Sequence, residues 1–85
     1  MDMTPESIFE YIRNVLIEEF ELEAPRITLD AKLRDDLDID SIDAVDLMIK
    51  LKPLVGQRLK PEAFRTVRTI GDVVNAVHSM LHADA

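Results

Sequence analysis

Residues Asp36 to Asp43 read DLDIDSID, four aspartates and one serine within eight positions. Three chemistries use such a pattern. The first is calcium binding. Asp36, Asp38 and Asp40 stand at positions 1, 3 and 5 of an EF-hand loop, but position 6 is Ser41 rather than glycine. Position 12 is Leu47 rather than a bidentate glutamate. Leu37 and Ile39, interleaved with the acids, suit core anchors, so no dedicated metal site is expected. The second is nucleophilic catalysis by Ser41. A serine hydroxyl needs a base to take its proton, and Ser41 lies in no G-x-S-x-G elbow. His78 and His82 are four apart on a helical segment, without H-E-x-x-H and without a third ligand, so they suggest neither a base nor a metal. No catalytic residue is expected, and the chain is not read as an enzyme.

The third chemistry makes Ser41 a substrate. A hydroxyl at an exposed helix start is open to another enzyme. A phosphoryl group placed there meets unfilled backbone N–H groups and the positive end of the helix dipole. The surrounding aspartates would repel that group, so they must serve something else. Docking a basic enzyme is the evident use, because complementary charge speeds encounter and fixes orientation.

Helices must position this serine. Thr4-Pro5-Glu6 is a helix start, with a hydroxyl cap, a proline in the first turn and an acid near the dipole. Ile8, Ile12, Val15, Leu16 and Glu19 share one face, widened by Phe9 and Phe20, and predict a helix from Pro5 to Glu21. Residues 22–39 have no clear period. They read as a long loop pinned by Ile27, Leu29, Leu33 and Leu37, long enough to signal a function or a hidden short helix. Asp40 caps a second helix from Ser41. There Ala44, Leu47, Met48 and Leu51 form an apolar stripe, and Asp43, Asp46 and Lys50 a charged one. Ile42, Val45 and Ile49 form a second apolar stripe, about 120° from the first. It either widens the buried face or is left as a contact strip for a partner. Pro53 predicts a break or a kink near Lys52.

Lys60-Pro61 opens a short helical turn through Phe64, and Thr69 with Asp72 caps a last helix whose Ile70, Val73, Val74, Val77, Met80 and Leu81 share one face. The tail at 83–85 is expected to fray. The expected fold is all-α, a small four-helix bundle of three main helices and one short one, with residues 1–85 forming a single domain.

Composition narrows the partners. The chain has no cysteine, so it offers no disulfide and no thiol of its own, which suits the cytoplasm. The start MDMTPESIFEY has acids where a signal peptide has bases, and no apolar run approaches a membrane span. The net charge of −7 disfavours nucleic acid and anionic membranes. The charge is uneven. Residues 1–49 hold 14 acids and 4 bases, whereas 50–85 hold 3 and 6, the bases being Lys50, Lys52, Arg58, Lys60, Arg65 and Arg68.

The run DLDIDSIDAVDLMIKL resembles the modification site of acyl carrier proteins, whose hallmark is Asp-Ser-Leu opening the second helix. The resemblance covers most of the chain, through to the last helix opened by Thr69-Ile70. It implies an acyl-carrier-like bundle in which Ser41 bears 4′-phosphopantetheine, attached by a phosphopantetheinyl transferase, with Asp40 capping the helix beside it. The arm would hold acyl or polyketide groups as thioesters. An acyl-loading enzyme, a ketosynthase and related fatty-acid or polyketide-type enzymes would be its partners, and the carrier would act as a monomer. Recognition then falls on Ile42, Asp43, Val45, Asp46 and Ile49 together with Asp40. Lys50 and Lys52 at the helix end select partners by opposite charge.

Several positions depart from the family pattern. Ile42 replaces the usual leucine, and Asp38 stands where glycine is common. Lys50, Lys52 and Pro53 make the helix end basic and broken, unlike housekeeping carriers, and point to a specialised one. The segment LVGQRLKPEAFRTVRTIGDVV is similar to carriers of aryl-polyene and related pathways. Two other readings stay open. One is an unmodified carrier-like or acidic binding module. The other, ranked lower because no glycine-rich run precedes the serine, is an aminoacyl or peptidyl carrier.

Overall fold

The computed structural model describes residues 4–58 and 61–82. Three helices carry the architecture: α1 over Pro5–Phe20, α2 over Ser41–Val55 and α3 over Ile70–His82. Short 3₁₀ turns occupy Ala24–Arg26, Gly56–Arg58 and Pro61–Phe64, and no named strand occurs among the described residues. The all-α bundle of three main helices and one short one is therefore the observed fold. The start of that short helix at Lys60 and the tail at 83–85 lie outside the described residues.

Each helix is cut where its sequence directs. Thr4 Oγ1 accepts from the Ser7 N–H at 3.2 Å and starts α1. Glu21 ends it in the left-handed region (φ 56°), donating its N–H to the Leu16 carbonyl. At α3, Thr69 Oγ1 accepts from the Asp72 N–H (3.1 Å) while Asp72 Oδ2 accepts from the N–H groups of Thr69 (3.2 Å) and Arg68 (3.0 Å). This is a capping box closed by an aspartate.

The core is one cluster. Ile8, Ile12 and Leu16 of α1 meet Leu47, Leu51 and Val55 of α2 and the apolar face of α3, with α1 packing most extensively on α3. Burying each such side chain contributes about 1.5–3 kcal/mol. The long segment between α1 and α2 supplies Ile27, Ala31, Leu33, Leu37 and Ile39 to the same cluster. It contains the short helical turn Ala24–Arg26 and is clipped to the start of α3. Leu33 N–H donates to the Arg68 carbonyl (2.8 Å), Ile70 N–H to that of Ala31 (3.0 Å) and Gly71 N–H to that of Leu29 (2.9 Å). A Cβ at residue 71 would stand 3.1 Å from the Leu29 carbonyl oxygen, so this close approach favours glycine.

Two expectations are corrected. Leu29 does not pin the loop; it is 52% exposed, because its backbone rather than its side chain is the anchor. Nor does α2 break near Lys52. It continues through Pro53 to Val55 and is closed by Gly56 (φ 61°), whose N–H donates to the Lys52 carbonyl. Proline forfeits one helical bond, to the carbonyl of residue 49, but Ile49 faces solvent, where water can serve that carbonyl. Leu51 and Val55 hold the final turn on the core.

Candidate functional site

Ser41 is the first residue of α2 and is exposed, and its hydroxyl has no hydrogen-bond partner among the described residues. The turn before it is built by three devices. Asp36 Oδ2 accepts from the Lys32 N–H (2.8 Å), the Asp36 carbonyl accepts from Arg26, and Ile39 N–H donates to the Leu33 carbonyl (2.7 Å). Asp38 lies in the left-handed region at φ 55°. Aspartate tolerates that region better than most residues, and this explains how it replaces glycine there. Asp40 Oδ1 then accepts from the Asp43 N–H at 2.9 Å. The Asp40 carbonyl takes the Ala44 N–H. The N–H groups of Ser41 and Ile42 have no intrahelical acceptor and are left for whatever sits on the helix end.

The exposed face of α2 runs away from Ser41. Ile42 is 77% exposed, Val45 50% and Ile49 55%, so the second apolar stripe does not widen the core. Asp46 is exposed beside it, with Asp43 half-buried. Lys50 is turned to α1, where its Nζ lies 3.1 Å from Glu19 Oε1 and its carbonyl accepts from the Tyr11 hydroxyl at 3.3 Å. The hydrogen bond and charge of Glu19, with a smaller contribution from Asp46, hold the Lys50 ammonium above its ordinary pKa. Lys52 is exposed.

On its other side Ser41 borders a cleft of about 880 Å³. Residues from three stretches of the chain, within 32–35, 39–48 and 64–72, line it. They include Leu33 and Arg34 of the long loop, Val45 and Met48 of α2, Phe64 of the short helix and Arg68 before α3. No sequence period joins these segments, so the cleft is not legible from local pattern. The Glu19–Lys50 pair escapes it for the same reason. At the end of α3 the His78 and His82 rings lie 4.3 Å apart, and neither lines the cleft at Ser41. Among the described residues no three His, Cys, Asp or Glu side chains gather to hold a metal. The aspartates of DLDIDSID diverge instead, Asp36 and Asp40 each toward a backbone N–H.

The chain can be set beside known proteins on this geometry. A family model described as a phosphopantetheine attachment site matches residues 10–77, a span with Ser41 near its middle. Acyl carrier protein 2 of Ralstonia nicotianae is 52% identical over 81 residues, covering 95% of this chain and all of that protein. The acyl carrier protein of Coprothermobacter proteolyticus is 32% identical over 80 residues, 94% of this chain and 98% of its own length. That of Petrotoga mobilis is 29% identical over 82 residues, 96% of each chain. No helix among the described residues is long and apolar enough to cross a membrane. With a phosphopantetheine attachment domain spanning most of its length, the chain belongs to the acyl carrier proteins, which carry acyl groups for biosynthetic enzymes and do not themselves catalyse.

Proposed function

We propose that residues 1–85 form one discrete carrier domain in which Ser41 receives 4′-phosphopantetheine, and that the carrier serves fatty-acid or polyketide-type enzymes in the cytoplasm. The observation that carries this reading is the Ser41 hydroxyl, exposed and unpartnered at the first turn of α2. The residues present suit the group. Ser41 Oγ would be the attachment atom, the N–H groups of Ser41 and Ile42 would be open to a phosphoryl oxygen, and the dipole of α2 would favour its charge. Asp40 holds the turn by capping rather than by touching the group. When attached, the arm supplies a terminal thiol that holds acyl groups as thioesters.

The exposed face of α2 is the docking surface in this reading. Ile42, Val45 and Ile49 offer apolar contact at the centre, and Asp43 and Asp46 steer a basic partner toward it. The same surface serves the phosphopantetheinyl transferase, an acyl-loading enzyme and a ketosynthase in turn. Lys52, exposed at the far end, biases the choice among them, whereas Lys50 is held by Glu19 and contributes less.

The test is intact mass spectrometry after incubation with coenzyme A and a broad-specificity phosphopantetheinyl transferase. The expected result is a gain of one arm per chain. A folded protein that gains none from this transferase or from that of its own organism would be an unmodified binding module.

A further inference from the structure

The last turns of α3 bring two imidazoles together. His78 and His82 stand about one turn apart on the helix. The first is half-buried and the second exposed, with ring centroids 4.3 Å apart and planes tilted by 42°. Side chains at i and i+4 meet because each leans toward the helix N-terminus over the preceding turn. The helix beneath them is held, since Val74, Val77 and Met80 are buried in the core. Neither ring lines the cleft at Ser41, so the carrier reading gives this pair no task.

The surroundings favour a cation. Helix α3 carries no lysine or arginine, and its C-terminal end bears the negative pole of the helix dipole. The chain as a whole has a net charge of −7. Neutral imidazole is a ligand for copper, nickel and zinc, and a helical pair four apart presents two such nitrogens to one ion. The ring separation then selects among metals. Metal–nitrogen bonds of about 2.0–2.1 Å, extended by the imidazole radius, put two ring centroids about 4.5 Å apart at a right angle and about 5.2 Å apart at the tetrahedral angle. The observed 4.3 Å falls beside the right-angle value. Right-angle positions belong to the tetragonal geometry of Cu2+ and Ni2+ rather than to the tetrahedral geometry of Zn2+.

We propose that His78 and His82 chelate one divalent ion of the copper–nickel class at the end of α3, through one nitrogen of each ring. No third His, Cys, Asp or Glu side chain joins the pair among the described residues, so water completes the coordination. The site stands apart from Ser41 and does not depend on modification there.

The experiment titrates the unmodified full chain with Cu2+, Ni2+ and Zn2+ at neutral pH. Calorimetry gives stoichiometry and affinity, and electron paramagnetic resonance counts the nitrogens on Cu2+. Wild type should bind one Cu2+ per chain with hyperfine structure from two nitrogens, and both other ions more weakly. His82→Gln should weaken Cu2+ binding about tenfold or more, because the second nitrogen no longer adds as an intramolecular ligand. His78→Gln should do the same, and each should leave a one-nitrogen spectrum. Far-UV circular dichroism checks that α3 is intact in both variants. Should His78→Gln disturb the helix, the exposed His82→Gln decides alone. Two Cu2+ ions per chain with one nitrogen each would overturn the proposal, since the rings would then stack without chelating. Affinity unchanged in the variant carrying both His78→Gln and His82→Gln would overturn it too, by assigning the ion to surface carboxylates or the chain terminus. Zn2+ bound as tightly as Cu2+ would overturn the choice of metal.

Discussion

Two helix starts in this molecule use the same residue types to opposite ends. At α3, Thr69 and Asp72 consume each other's hydrogen-bonding capacity with backbone N–H groups, and the Thr69 hydroxyl is spent on the cap. At α2, Asp40 caps alone, and Ser41, one position later, keeps a hydroxyl with no partner among the described residues. The faces below follow suit. The apolar face of α3 is buried, whereas α2 buries Leu47, Leu51 and Val55 and leaves Ile42, Val45 and Ile49 in solvent. One helix start is closed by its own side chains, and the other is left open, as the proposed attachment at Ser41 requires.

Substitutions can break that contrast, and the largest effect is expected in the core. Ile12→Ala should cost about 2–5 kcal/mol in denaturant unfolding, since Ile12 is fully buried. Ile42→Ala, on the exposed stripe, should stay within about 0.5 kcal/mol and instead weaken partner transfer. Next comes charge reversal. Asp43→Lys with Asp46→Lys should slow modification by a phosphopantetheinyl transferase about tenfold at low salt, with the gap closing as salt rises. Rates unchanged at low salt would remove the docking role.

Smaller effects are expected at the closed helix start. Thr69→Ala should cost about 1 kcal/mol and leave modification untouched. The backbone N–H groups of Arg68 and then Thr69 hold the Asp72 carboxyl below its ordinary pKa. The stability this contributes is present above the ordinary aspartate value, about 3.9, and is lost as pH falls through the lower folded value. Asp72→Asn should therefore flatten the acid side of the stability profile. A profile identical to wild type would show that the box is not formed in solution. Lys52→Glu should change partner preference with stability within about 0.5 kcal/mol. A loss of helical signal would show instead that Lys52 supports the end of α2.

Much of this was legible in the sequence, for a definite reason. The 100° rotation per residue separates Leu47 and Leu51 from Ile42, Val45 and Ile49, so a leftover stripe was predictable. Which of its two readings holds required the fold, because only α1 and α3 decide how wide a face of α2 they cover. That Asp38 stands where glycine is common came from the family resemblance, and its φ of 55° agrees. Of the break or kink expected at Pro53 the break does not occur, because the local rule counts one lost bond and cannot see Val55 buried beyond it. Leu29 misled because an aperiodic loop is held by backbone bonds to α3, which side-chain type does not encode. The cleft was invisible, being assembled from segments that meet only in three dimensions.

The account stands or falls on which hydroxyl is open. The direct measurement is peptide-level mass mapping of the arm after the transferase reaction on wild type, Ser41→Ala and Thr69→Ala. The arm should appear on the peptide containing Ser41 in wild type and in Thr69→Ala, and be absent from Ser41→Ala, with all three proteins equally helical. An arm found on Thr69 or elsewhere, or retained in Ser41→Ala, would contradict it.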